Sequence, residues 1–324
     1  MVTIQKIIIW GHKLHSHTHG YVHNGFYLGF KKLGYDTYWF DDDTNVDNFD
    51  FSNSLFLSEH QVDFKIPQRS DCLYFIHFLE EDRYQNVPRE NLINMKCAFR
   101  DMTRERRIDP NLVYTPVDEK KFEFYMKDKN DIINYYILWA TDIFSEDIDE
   151  NIKNLEEIHK NINHKIIYFI GTMTEPWRIM YNFLYRSDIR FIQYGATFDK
   201  NSHNNKSILE NMKLIQSSLV SPAFQEQLQI DDTYIPCRIF KNISYGRMGI
   251  TNSYFTNDFF DKRLIYDSDI IKCTQKAIEF EKREDKLEII KSLMNYVKDN
   301  HTYVNRVETF INFINKHTLF KIVK

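Results

Sequence analysis

Short apolar runs alternate with amphipathic stretches along this chain, and the pattern begins at once. Residues 4–10 form a β-branched run, flanked by Lys6 and closed by a glycine, as a first buried parallel strand requires. The loop GHKLHSHTHG follows, and then a segment of helical periodicity over 21–33 ending at Gly34, where a helix is capped. TYWF is the next strand and closes on Asp41, Asp42 and Asp43. These pieces make one βαβ unit, the opening of a doubly wound sheet. Further strands are expected at SLFLSEH near residue 57 and CLYFIHF near residue 75. CAF and LVYTP continue the alternation, and NYYILWATDIF is the last strand of a first domain. The charge-rich stretch 118–131 reads as an exposed loop or helix.

At SEDIDENIKNLEE the sequence turns acidic, which predicts a first domain over 1–145, a linker over 146–160 and a second domain over 161–324. A fresh βαβ start follows: KIIYFIG is a strand, TMTEP a loop, 177–185 a helix and IRFIQYG the next strand. NNKSILENMKLIQSS has helical spacing, and SLVSPAF reads as a strand and turn. The final 50 residues carry two amphipathic helices, KLEIIKSLMNYVKDN and TYVNRVETFINFI. With 324 residues there is chain enough for two cores. The fold class expected is α/β, two Rossmann-like domains facing across a cleft.

The stretch YIPCRIFKNISYGRMGITNS, over 234–253, carries the most chemistry. As a helix it puts Arg238, Lys241, Asn242 and Tyr245 at i, i+3, i+4 and i+7, with Ile239, Phe240 and Ile243 on the opposite side. Pro236 suits the helix start, Gly246 its C-terminal cap, and 248–251 a short buried strand. A guanidinium, an ammonium and a carboxamide near a helix start suit a phosphate or diphosphate, so a nucleotide is the first ligand expected.

From about Tyr234 onward the chain resembles the C-terminal domain of the spore-maturation-protein-like glycosyltransferases (glycosyl transferases group 1). The resemblance rests on RIFKNISYG, the following GITNS, the LIYDSD run and the late HTYVNRVETFINFI helix, in that order and spacing. It implies the two-domain GT-B fold, with an N-terminal acceptor domain, a C-terminal nucleotide-sugar domain and a last helix that crosses back to the first domain. The chain departs from the pattern at Lys241, where many relatives carry a glutamate that contacts the donor ribose.

The activity this implies is transfer of a hexosyl or deoxyhexosyl group from a nucleotide-diphosphate sugar to a glycan or other hydroxyl acceptor. Arg238 and Lys241 are the leaving-group candidates, Arg238 being the catalytic one. Asn242, Tyr245, Thr251 and Asn252 are candidates for phosphate or sugar contacts. Gly171 and Thr172 suit a backbone loop near the donor, and Ser221 and Pro222 a turn bordering the base. No cofactor is expected, and no metal at the phosphate, because the Asp-x-Asp matches at Asp41 and Asp147 lie outside the donor domain.

The first loop supplies His12, His15, His17 and His19, with His23 just beyond. A strand-to-helix loop lies at the carboxyl edge of a parallel sheet, where ligands bind in open α/β folds. His17 is the preferred base, and His15 and His19 are candidates for the acceptor. Glu59, His60, His77, Glu80 and Asp82 compete as bases. The HSHTH pattern also resembles the HxH metal ligands of amidohydrolase or PHP-type hydrolases, with His60, His77, His159 and His164 available as further ligands, which gives a metal-dependent hydrolase as one alternative. A catalytically inactive nucleotide-sugar-binding protein is another.

A net charge of -4 and pI near 6.3 give no reason to expect nucleic-acid binding. The run Arg100, Arg104, Arg106, Arg107 is balanced by Asp101, Glu105 and Asp109, as on a solvated helix face. Cys72, Cys97, Cys237 and Cys273 form no CxxC pair, which fits reduced thiols and a cytosolic setting, with peripheral attachment to a membrane left open. No apolar run reaches membrane-spanning length.

Overall fold

The computed structural model describes residues 2–13, 18–100, 113–195 and 206–324. They form two compact units, Met1–Asp142 with Tyr303–Lys324, and Ile143–Thr302.

The first unit is built on one sheet. Its elements in chain order are β1 (Val2–Ile4), β2 (Lys6–Trp10), α1 (Thr18–Lys32), β3 (Thr37–Phe40), β4 (Ser54–Glu59), β5 (Leu73–His77), β6 (Leu92–Lys96), β7 (Thr115–Asp118), β8 (Glu123–Lys127) and β9 (Ile133–Tyr136). The eight strands run in the order β3-β2-β4-β5-β6-β9-β8-β7, parallel as far as β9 and antiparallel beyond it. β4 and β5 are buried along their whole length, which is why they read as continuous apolar runs rather than alternations. On one face Phe75 stacks on Phe310 of the last helix, Tyr303–His317, with ring centres 4.1 Å apart. β1 pairs in parallel with the C-terminal strand Phe320–Ile322.

Two expectations fail here. The strand expected at CAF is the preceding LINMK, and the charged stretch 118–131 contains β8. β8 is a strand because its charged end is sequestered: Glu123 is fully buried, paired with Arg306 and bonded to the Tyr135 hydroxyl.

The second unit opens with α2 (Ser145–Lys153) and α3 (Leu155–Lys160), where a linker was expected. The acidic residues that suggested a linker are a helix start instead. Glu146 and Asp147 occupy the first turn of α2, where carboxylates favour the helix dipole, and Asp147 accepts from the Phe144 N–H at 2.9 Å. Ile148 and Leu155 are buried, and Asp149 pairs with Lys298 at 2.7 Å.

There follow β10 (Ile166–Ile170), α4 (Glu175–Leu184), β11 (Arg190–Tyr194), α5 (Ile208–Ser217), α6 (Gln227–Asp231), α7 (Cys237–Ser244), β12 (Ile250–Thr251), α8 (Tyr254–Phe259), β13 (Ile265–Tyr266), α9 (Ile270–Phe280) and α10 (Lys286–Asn300). β10 pairs in parallel with β11, and β12 with β13. The segment 218–223 joins the two pairs. Leu219 N–H donates to Ile166 O, and Ala223 N–H donates to Ile250 O. The lateral order is therefore β11, β10, 218–223, β12, β13, and the order reverses between β10 and 218–223. In an open α/β sheet such a reversal opens a crevice at the carboxyl ends of the strands. Phe169, Trp177, Leu219, Phe224 and Cys273 are among the core residues beneath it.

Candidate functional site

Arg238 lies at that reversal. It is the second residue of α7, whose N-cap is Pro236, and its guanidinium sits over Phe169 at 4.8 Å and Trp177 at 5.6 Å. Gly171 follows β10 directly, with φ +146°, and a Cβ there would come within 2.6 Å of Arg238 Nη2. Glycine lets the cation lie against the strand end. Gly171 is anchored by its N–H on Tyr194 O at 2.7 Å and by Gln193 Nε2 on its carbonyl at 2.7 Å. Thr172 follows, exposed. Near this edge is a cavity of about 300 Å³ lined by Glu175, Ile179, Gln225, Asn252, Tyr254 and Tyr266. The Tyr254 and Tyr266 rings, 6.2 Å apart, offer it apolar faces. A larger groove of about 470 Å³, lined by Lys276 and Arg283, is lined by none of the expected site residues.

The helix expected over the 234–253 stretch forms, and Gly246, at φ +87°, follows its C-cap residue. The polar face expected on it divides in two. Arg238 and Lys241 are half-buried, whereas Asn242 and Tyr245 are 2% exposed and belong to the packing. Asn242 Nδ2 donates to Ser221 O at 2.6 Å, and Ser221 Oγ donates to Ile215 O, so these two brace the 218–223 segment. Pro222 is buried beside them. Thr251 is buried, and its Oγ1 accepts from the Ser253 N–H at the start of α8.

Asn252 reaches the cavity and fixes its wall. Its carboxamide accepts from Gln225 N–H at 2.8 Å and donates to Gln225 O at 2.9 Å. Gln225, 1% exposed, was not singled out from the sequence. Its side chain donates to Tyr234 O, just before α7, and accepts from Thr256 Oγ1 in α8, so one amide ties both to the 218–223 segment it follows. The local signal was only an uncharged amide following SLVSPAF. Its partners lie 9 to 31 residues away.

The carboxyl edge of the first unit's sheet has a different content. His12 follows β2 and is 4% exposed, and its Nε2 is 2.5 Å from Oε1 of Glu59 at the end of β4. The Gln61 N–H donates to the other oxygen at 3.1 Å, and His60 Nδ1 lies 3.1 Å from it. Burial pushes the Glu59 carboxyl up, and the bonds from His12 and Gln61 more than offset it, leaving its pKa near 2. The His12 ring is 5.5 Å from His19 and 5.2 Å from His23, and His19 is 5.4 Å from His77. Burial lowers the pKa of His19, and takes His23 and His77 down to about 3. His15 and His17, like Arg104, Arg106 and Arg107, lie outside the described residues. Of the hydrolase ligands, His60 and His77 flank this cluster, and His159 and His164 belong to the second unit. No helix among the described residues is long and apolar enough to cross a membrane.

No protein-family model matches the sequence, and no curated protein does. The finer resemblance of the C-terminal region to the spore-maturation-protein-like family therefore rests on its motifs. Among solved structures, an alpha-glucosyltransferase (AGT) in complex with UDP superposes with a TM-score of 0.61 at 10% identity, over 98% of this chain and 100% of that one. The alpha-glucosyltransferase with UDP and a 13-mer DNA containing an HMU base does so with a TM-score of 0.61 at 11% identity, over 97% of this chain and 100% of that one. An alpha,alpha-trehalose-phosphate synthase (UDP-forming) from Burkholderia xenovorans, with glucose-6-phosphate, gives 0.52 at 10% identity, over 92% of this chain and 79% of that one. These neighbours are UDP-sugar glycosyltransferases, and the fold of this chain is theirs, GT-B.

Proposed function

We propose that this protein transfers a sugar from a nucleotide-diphosphate sugar to a hydroxyl acceptor. One observation carries the reading: the Arg238 guanidinium lies against Gly171 at the strand-order reversal of the second unit's sheet. A cation fixed at a strand end, beside backbone that only glycine leaves accessible, is what a departing diphosphate needs as it gains charge. Arg238 is the charge-stabilising residue, and Lys241 and the Gly171–Thr172 loop assist it without a metal at the phosphates. The cavity between Asn252, Tyr254 and Tyr266 receives the remainder of the donor. Ser221, Asn242 and Thr251 support that wall.

UDP is the first donor nucleotide to test, since the neighbours above are described with UDP or as UDP-forming. A thermal-shift screen against UDP, GDP, CMP, dTDP and their sugars reports it, because a ligand of the native state raises the melting temperature. Arg238→Ala is expected to weaken UDP binding about tenfold, or about 1.5 kcal/mol for a charged hydrogen bond. A folded variant with unchanged affinity would sink the proposal.

The acceptor belongs with the first unit, in a glycan or glycoconjugate. A hydroxymethylated base in DNA is the second reading, favoured because a neighbour is described with DNA carrying such a base. The net charge of -4 weighs against DNA. Labelled-sugar transfer to duplex DNA with and without the modified base, beside a glycan panel, separates the two.

A further inference from the structure

The donor reading leaves the first unit's histidine cluster unused. His12 after β2, His19 in the first turns of α1 and Glu59 at the end of β4 bring their donor atoms within 4.8 Å of one another. Glu59 is 0% exposed, and among the described residues its oxygens meet the imidazoles of His12 and His60 and the Gln61 N–H. Among the described residues no lysine or arginine is paired with it. A buried carboxylate without a permanent cation needs a proton or a metal ion among its neighbours.

The neighbours are suited to an ion. His19 is half-buried in the first turn of α1 with its ring 5.5 Å from that of His12, and imidazole nitrogens ligate. The second oxygen of Glu59 is oriented by Gln61, and His23 Nδ1 is 2.9 Å from the Gly11 carbonyl beside His12. Such outer bonds fix ligands. Two imidazoles and one carboxylate match zinc-class ions, whereas calcium and magnesium take oxygen shells.

We propose that His12, His19 and Glu59 bind one divalent ion of the zinc class. The site belongs to the first unit and is independent of the diphosphate contact made by Arg238.

The test uses the full chain purified without a polyhistidine tag, stripped with a chelator and titrated with Co²⁺. One equivalent producing a visible d–d band that Zn²⁺ displaces is the expected result. His19→Ala and Glu59→Gln, checked for folding by circular dichroism, should each weaken binding by tenfold or more. No band in the parent chain, or a band that survives both substitutions, overturns the proposal. If a variant does not fold, X-ray absorption on the zinc-loaded parent decides: scattering from two imidazoles supports the site, and an all-oxygen shell refutes it. UDP binding is read separately before and after stripping: absence of binding in both counts against the donor reading, and loss on stripping alone overturns the independence of the two sites.

Discussion

At the carboxyl edge of the second unit's sheet the polar side chains are chiefly amides spent within the fold, while at the same edge of the first they are imidazoles around a buried carboxylate. Asn252 is spent on the Gln225 backbone and Gln225 on Tyr234 O and Thr256 Oγ1, which leaves little to titrate. His12, His19 and Glu59 form a cluster whose charge depends on what joins it. Similar parallel sheets thus present a fixed wall with one cation in one unit and a protonatable set of ligands in the other. The edge geometry is a property of the fold, and the chemistry is a property of the few residues placed there.

The same contrast runs through the interiors, where each unit buries an arginine against a glutamate. Arg306 is 0% exposed, grips Leu138 O at 2.9 Å and faces a Glu123 that is itself 0% exposed, at 3.4 Å. Arg247 is 1% exposed and grips Leu219 O and Glu281, but Glu281 also meets Lys286 at 3.2 Å. Nε and Nη1 of Arg247 have no hydrogen-bond partner among the described residues. Removing each arginine should break the symmetry. Arg306→Met leaves a buried carboxylate without its guanidinium and is expected to cost about 3–5 kcal/mol at pH 8. Arg247→Met should cost clearly less, since Lys286 remains for Glu281 and two unmet donors disappear. Equal losses of melting temperature in the two variants would refute this contrast.

The pH dependence sharpens it. Burial raises the Glu123 carboxyl to about 7 even with Arg306 pulling it down. A carboxyl raised in the folded state contributes stability that is present below its unfolded value, near 4.5, and is lost as pH climbs through about 7. Within that window each pH unit costs about 1.4 kcal/mol per proton. The parent should therefore lose melting temperature from pH 5 to 8, and Glu123→Gln should flatten the slope. For the same reason Arg306→Met should be milder at pH 5, where Glu123 takes up a proton. A slope unchanged in Glu123→Gln would assign the effect elsewhere.

At the second unit's edge the largest effect should come from the smallest side chain. Gly171→Ala puts a Cβ 2.6 Å from Arg238 Nη2 and an L side chain at φ +146°. The backbone strain costs about 1–3 kcal/mol. Displacing the guanidinium should lower UDP affinity toward the level of Arg238→Ala. Calorimetric titration compares them, and a Gly171→Ala protein that binds UDP like the parent would remove this strand end from the site.

What the sequence made legible was what depends on near neighbours. The βαβ openings, the start of α7 at Pro236 and the turn at Gly246 follow from local periodicity and caps. Arg238 was picked out because a cation near a helix start is a local pattern. What escaped depends on distant partners. Asn242 is spent on Ser221, 21 residues earlier, and Glu123 on Arg306, 183 residues later. A polar residue bound to a ligand and one bound to the core look alike until those partners are placed. The acidic run at 145–157 misled in the same way, since carboxylates that begin a helix resemble those of a linker.

Tyr245 is where the smallest effect is expected, and so where the helical-face idea and the strand-edge idea part most cleanly. Spacing alone groups it with Arg238, and a ligand lying along that face would touch both. Seven residues at 1.5 Å each set it about 10 Å along the helix axis from Arg238. It is 2% exposed, and its carbonyl accepts from Gln216 Nε2 at 3.2 Å. Tyr245→Phe keeps the ring and that carbonyl, so UDP affinity should stay within about twofold of the parent, under about 0.5 kcal/mol. A tenfold loss in a variant of unchanged melting temperature would restore the whole face as the donor surface and move the site off the end of β10.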